Sequence, residues 1–185
     1  MKRTLVLGGA RSGKSVYAEG LAERSEKSVW YVATARAGDG EMATRIALHR
    51  DRRHASWTTL EEPMTPGAVI ARWSAPDRVI LVDCLTIWLS NLLFAEPKDY
   101  PEVGTIVPPA CFATERSNFL DALANAAGDV ILVSNEVGMG VVPQGAISRW
   151  FVDEAGRLNQ ATAAICDTVI WVAAGLPLAL KGSTC

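Results

Sequence analysis

The chain offers little to a metal-cluster, disulfide or membrane reading. Its 185 residues include two histidines and four cysteines, and 18 lysines plus arginines nearly balance 20 aspartates plus glutamates. A formal net charge of −2 leaves no global positive field to attract nucleic acid or an anionic membrane, so any anion site must be local. Cys84, Cys111, Cys166 and Cys185 stand far apart with no CxxC pair. They read as buried or incidental thiols of a reducing cytosol rather than as a disulfide framework or zinc site. No stretch approaches the ~18 apolar residues that span a bilayer. The opening MKRTLVLGGARSGK breaks into glycines and basic residues too early for a secretory signal. A cytoplasmic protein without nucleic-acid or membrane partners is expected.

Apolar residues make up 49% of the chain and charged residues 21%, which is enough for one globular domain over residues 1–185. Residues 4–7, 28–33, 78–83, 129–134 and 168–172 are short, continuous apolar runs rich in β-branched side chains. This is the pattern of parallel strands buried on both faces. Helical periodicity separates them at residues 15–24, from about 41 to 54, and at 66–73, 84–94 and 112–127. A last long helix carries Ile147, Trp150, Phe151, Leu158 and Ala161. The alternation predicts an α/β fold: a mostly parallel sheet with helices on both faces, and ligands bound beyond the carboxyl ends of the strands. Residues 96–111, with four prolines, read either as a surface linker or as a lid or substrate loop.

Gly8, Gly9, Ala10, Arg11, Ser12, Gly13, Lys14 and Ser15 satisfy G-x-x-x-x-G-K-[ST] between a predicted strand and a predicted helix. Glycines let backbone N–H groups close on phosphate oxygens, and the helix N-terminus adds free donors and partial positive charge. Lys14 is expected on the β- and γ-phosphates and Ser15 on Mg²⁺. The third predicted strand, VILVD, closes on Asp83, either a Mg²⁺ partner of the Walker-B kind or a helix cap.

Both histidines, with Arg45, Arg50, Arg52 and Arg53, fall within residues 45–54. On a helix Arg45, His49 and Arg53 share a face. Clustered arginines suit a polyphosphate, and a histidine among them is pushed toward its neutral, nucleophilic form. A solvated basic face accounts for the spacing equally well.

Beyond these motifs the chain resembles the bifunctional adenosylcobinamide kinase / adenosylcobinamide-phosphate guanylyltransferase family of cobalamin biosynthesis. The resemblance rests on GGARSGKS, YVATA (31–35), DGEM with RI..HR (39–50), W.T.EEP (57–63), VDCLT.WL.NLL (82–93), SNEVGMGVVP (134–143), GRLNQ (156–160) and the closing AAGLPL.LKG. It implies a RecA-like P-loop fold, a kinase and a nucleotidyltransferase reaction using GTP or ATP with Mg²⁺, and adenosylcobinamide and its phosphate as corrinoid substrates. It implies GMP carried on His49. Nucleotide contacts are implied at residues 8–15, Ala33, Thr34, Ala35, Arg50, Asp51, Arg52, Arg53, Glu61 or Glu62, and Asp83, in a homo-oligomer, a trimer. One departure is His54, which stands where the family usually has proline, shortly after the arginine pair. A single-activity kinase and a nucleotide-dependent switch are the other readings. The chain has no N-K-x-D motif, and its D-x-x-G, Asp153 to Gly156, lies inside the last predicted helix.

Overall fold

The computed structural model describes residues 1–36, Gly40 and 54–183. Seven strands and five helices are assigned in it. In chain order they are β1 (Arg3–Gly8), α1 (Lys14–Arg24), β2 (Ser28–Ala33), β3 (Thr58–Glu61), α2 (Pro66–Trp73), β4 (Arg78–Asp83), α3 (Leu85–Leu93), α4 (Cys111–Ala124), β5 (Asp129–Asn135), α5 (Ala146–Ile165), β6 (Thr168–Ala173) and β7 (Leu176–Lys181). The strands form one sheet in the order β3-β2-β4-β5-β1-β6-β7, parallel except for β7, which runs antiparallel to β6.

The apolar runs become central strands because each face of the sheet is covered. Side chains alternate along a strand. Leu5, Leu7, Ile80, Val82, Val130 and Leu132 therefore enter a core with α2, α3, α4 and α5. Val6, Val79, Leu81, Ile131 and Val133 enter a second core with Ala18 and Ala22 of α1. Trp88 and Phe119 anchor the first core, both 0% exposed with ring centroids 4.8 Å apart. Each contributes about 2–3 kcal/mol by burial. No helix among the described residues is long and apolar enough to cross a membrane.

All five expected strands are present. Two more are added. β3 is a four-residue edge strand with mostly exposed side chains, and β7 is an exposed edge strand containing Pro177. β3 lacks the continuous apolar run that marks a strand buried on both faces, and in β7 Pro177 interrupts the leucine run and confines it to an edge. The helices expected over 15–24 and 84–94 run over Lys14–Arg24 and Leu85–Leu93, and two others differ as well. The helix expected over 112–127 runs from Cys111 to Ala124, where Asn125 caps it with its N–H on the Asp121 carbonyl. Arg3 closes the same end, donating to the Leu123 and Ala124 carbonyls at 2.7 and 2.8 Å. The helix expected from about residue 41 lies outside the described residues up to its end, His54, which is not helical.

Residues 96–111 hold no helix or strand before α4 begins at Cys111. The segment is pinned at several points. Tyr100 Oη donates to the Leu93 carbonyl at 2.6 Å, Lys98 Nζ to the Val107 carbonyl at 2.7 Å, and Ile106 and Pro109 are buried. The Glu102 carbonyl accepts from the Ala146 N–H at the start of α5.

Candidate active site

The carboxyl ends of β2, β4, β5 and β1 open onto one edge of the sheet. Strand alternation puts Ala33, Asp83, Asn135 and Gly8 on the face that α1 covers, continuing the rows Val29–Tyr31, Val79–Leu81, Ile131–Val133 and Val6. The register sets Ala33 beside Asp83, Asp83 beside Val133, and Gly8 beside Asn135.

The loop between β1 and α1 is shaped by its glycines. Gly13 has φ 94°, a conformation that disfavours a side chain, and directly precedes α1. At Gly8 an added Cβ would lie 2.5 Å from both Ser12 Oγ and the Val172 carbonyl oxygen. The loop is backed by the turn after β6: Gly175 N–H donates to the Ser12 carbonyl at 2.8 Å, and a Cβ on Gly13 would lie 3.1 Å from the Gly175 Cα. Lys14 is 9% exposed and folds back over the loop, its Nζ donating to the Gly9 carbonyl at 3.2 Å. Among the described residues its ammonium meets no carboxylate, and Arg11, exposed at φ 55°, has no ion pair either. The Ser12 hydroxyl is buried and has no hydrogen-bond partner among the described residues. A buried cation and an orphaned hydroxyl around an N-terminal helix turn are a cradle for an anion. Ser15 stands half-buried in the first turn of α1.

Asp83 is half-buried at the end of β4 and accepts a hydrogen bond from Tyr31 Oη at 2.9 Å on Oδ2. Its N-cap role is not taken up, since α3 has Cys84 at its N-cap and no side-chain capping bond. Cys84 is buried beside it. Burial, and then the Asp83 charge, push its thiol up to about 12, so it stays protonated and inert as a nucleophile. Among the described residues no group of three or more His, Cys, Asp or Glu gathers as a protein-only metal site.

The other expected positions divide. Ala33 ends β2, with Thr34 fully buried and Ala35 half-buried behind it. The Thr34 hydroxyl turns inward, donating to the Cys84 carbonyl and accepting from the Cys84 N–H, both at 2.8 Å. It ties β2 to the turn that carries Asp83. Glu62 Oε1 accepts the Met64 and Thr65 N–H groups at 2.9 and 2.8 Å, which fixes the approach to α2. Glu61 lies exposed at the end of β3. Arg45, His49, Arg50, Asp51, Arg52 and Arg53 lie outside the described residues. His54 is exposed and turned onto its own loop, its Nδ1 2.7 Å from Ser56 Oγ and accepting from the Ser56 N–H at 3.3 Å.

Sequence reasoning assigned no role to Tyr31, Thr86, Ser134, Asn135, Asn159 or Gly175, which the structure gathers around the loop and Asp83. The available signal was polarity out of place. Ser134 and Asn135 end an apolar strand, and Asn159 and Thr162 sit in the buried stripe of α5 with Ala155 and Leu158.

A mostly parallel sheet with a glycine-rich loop leading from the interior strand β1 into α1 defines a P-loop α/β protein. Distant solved structures share the fold. The assembled ATPase EscN of the enteropathogenic E. coli type III secretion system superposes with a TM-score of 0.52 at 13% identity, over 94% of this chain and 43% of that one. A Pyrococcus horikoshii OT3 protein, PH0250, superposes with a TM-score of 0.50 at 10% identity, over 98% and 86%. The family model described as cobinamide kinase / cobinamide phosphate guanyltransferase matches residues 4–180, and the chain belongs to that enzyme family. The bifunctional adenosylcobalamin biosynthesis protein CobP of Pseudomonas aeruginosa is 51% identical over 180 residues, covering 97% of this chain and 98% of its own. The corresponding protein CobU of Salmonella typhimurium is 40% identical over 184 residues, covering 96% and 98%.

Proposed function

We propose that this chain performs two transfers at one nucleotide site. A nucleoside triphosphate, GTP or ATP, phosphorylates the aminopropanol hydroxyl of adenosylcobinamide, and GTP then guanylylates adenosylcobinamide phosphate. The observation that carries this reading is the anion cradle between β1 and α1: Gly8 with no room for a side chain and, among the described residues, a buried Lys14 without a carboxylate and a Ser12 hydroxyl without a partner. Family membership and the bifunctional relatives supply the substrate class.

In the guanylyl transfer a His49 ring nitrogen attacks the α-phosphorus of GTP, and pyrophosphate leaves with the bonding pair. A phosphate oxygen of the corrinoid then attacks the same phosphorus and displaces His49, giving adenosylcobinamide-GDP. One hard transfer is thereby split into two easier ones. Lys14 and the loop N–H groups hold the β- and γ-phosphates, and Arg50, Asp51, Arg52, Arg53, Ala33, Ala35 and Glu61 border the nucleotide. Mg²⁺ fits this site: it retains waters and phosphate ligands and needs only one or two protein groups, here the Ser15 hydroxyl and the Asp83 carboxylate. Bound there it would neutralise phosphate charge. The protein is proposed to act in the cytoplasm as a homo-oligomer, a trimer. The exposed edge strand β7, with Leu176, Leu178 and Leu180 at 72%, 60% and 58% exposure, supports assembly.

Incubation with α-labelled and, separately, γ-labelled GTP tests the reading. Acid-labile, base-stable labelling of the protein from the α position alone is expected. No labelling from either position would leave a kinase without the covalent guanylyl step.

A further inference from the structure

In the sheet β5 lies between β1, which leads into the phosphate loop, and β4, which ends at Asp83. Its last residue, Asn135, is held by its main chain from three directions. The Asn135 N–H donates to Thr86 Oγ1 of α3 at 2.7 Å, and its carbonyl accepts from Asn159 Nδ2 of α5 at 3.2 Å. The next N–H, of Glu136, donates to the Gly8 carbonyl at 3.2 Å. Thr86 Oγ1 also lies 3.2 Å from Ser134 Oγ. Thr86, Ser134 and Asn159 are 8%, 2% and 5% exposed, so these bonds form out of water, where polar groups are costly to bury for packing alone. A strand end beside a water-filled crevice needs no such clamp, because water would satisfy it. The Asn135 amide is half-buried, in line with Ile131 and Val133 on the α1 side of the strand, and its side chain has no hydrogen-bond partner among the described residues.

We propose that Asn135 is a further catalytic residue, its Nδ2–H₂ donating to the terminal phosphoryl group, and that Thr86 and Asn159 are the residues that position it. This rests on the triphosphate occupying the cradle described above. In the kinase step the terminal phosphorus parts from the bridging oxygen of the nucleoside diphosphate, which keeps the electron pair. It bonds to the corrinoid hydroxyl oxygen, whose proton passes to solvent. Charge spreads over the three outer phosphoryl oxygens, and a fixed amide donor aimed at one of them favours the transition state over the bound ground state. Thr86 acts at a distance, through the Asn135 peptide, so its hydroxyl matters and its methyl does not.

Kinase rates at saturating MgGTP and adenosylcobinamide, with melting temperatures of every variant, test this. Asn135→Ala is expected to lower kcat by about 10–100-fold with a triphosphate KM within about 3-fold of wild type. Thr86→Val is expected to lower kcat by roughly 3–10-fold and Thr86→Ser to restore it. Wild-type kcat in Asn135→Ala overturns the inference. So do Thr86→Val and Thr86→Ser variants that lose melting temperature alike while keeping kcat. Should Asn135→Ala fold poorly, Asn135→Asp serves instead: it keeps the shape and sets a negative charge against phosphate, so unchanged kcat there is equally decisive. Lys14→Ala separates the two levels, since turnover surviving in it overturns the nucleotide site itself, whereas turnover lost in it and unchanged in Asn135→Ala overturns only the role of Asn135.

Discussion

The two edges of the sheet treat polar groups in opposite ways. At the amino edge the polar groups are bound to one another. Asp129 accepts from Lys27 Nζ at 2.7 Å and from the Lys2 N–H at 2.7 Å, with the chain's amino group 3.6 Å away. The Arg3 N–H donates to Asp167 at 2.8 Å while its guanidinium caps α4. At the carboxyl edge, among the described residues, Lys14 has only a main-chain partner, Ser12 Oγ has none, and one Asp83 oxygen is held by Tyr31. Both edges are rich in charge and hydrogen-bonding groups, so composition does not separate them. Saturation does. The amino edge ties its charged groups into the fold, whereas at the carboxyl edge Lys14 and Ser12 Oγ stand apart from the bonded groups around them, as an anion cradle requires.

Breaking the unsaturated edge should cost activity and not fold. Lys14→Ala is expected to lower both transfers by roughly a thousandfold, because the β- and γ-phosphate charge loses its counter-ion. A circular dichroism spectrum matching wild type, alongside the assay, checks that the loss is not unfolding. His49→Ala is expected to eliminate covalent GMP labelling and corrinoid guanylylation while kinase turnover persists; His54→Ala should keep both, because His54 is exposed and engaged with Ser56. Mass-spectrometric mapping of the adduct decides between the two histidines. Asp83→Asn should lower both rates by about 10–100-fold and flatten their Mg²⁺ dependence, since an amide is a weaker partner for the ion or its waters. Full activity in that variant would reduce Asp83 to a structural residue.

Breaking the saturated edge should do the reverse. Burial alone would raise the Asp129 carboxyl, but Lys27 and the Lys2 N–H, with the amino terminus, outweigh it and hold the group below its usual value. A depressed carboxylate stabilises the fold above the ordinary carboxylate pKa and loses that contribution as pH falls through the lowered value. Lys27→Met should therefore cost about 1 kcal/mol near neutrality. The deficit should shrink in acid as Asp129 is protonated in both proteins, and kcat should not move. Urea titrations at pH 7 and near pH 3 measure it.

The parallel strands and the phosphate loop were legible in the sequence because each is encoded locally. A strand buried on both faces must be apolar throughout, as in 78–83, and a glycine-rich loop must carry its glycines in place. β3 and β7 were not, because exposed edge strands have no such constraint and their pairing is set by the strands beside them. The clamp on Asn135 was hidden for another reason. Thr86, Asn135 and Asn159 are separated by 49 and 24 residues along the chain, and only the sheet order brings them together. Polar side chains in a buried helical stripe, as at Asn159, are the trace that such assemblies leave.

The turn at Gly175 has a consequence for the order in which the protein becomes competent. It forms the rear wall of a loop that begins at Gly8, so the loop is made well before the segment that completes it. A nascent chain halted before residue 175 exposes its glycine-rich loop with the Ser12 carbonyl unpaired. Closure of the loop therefore waits until β6 has docked beside β1 and the hairpin has formed behind it. Chains cut before residue 175 are expected to bind MgGTP more weakly than the full chain in a titration, whatever remains of the rest of the sheet.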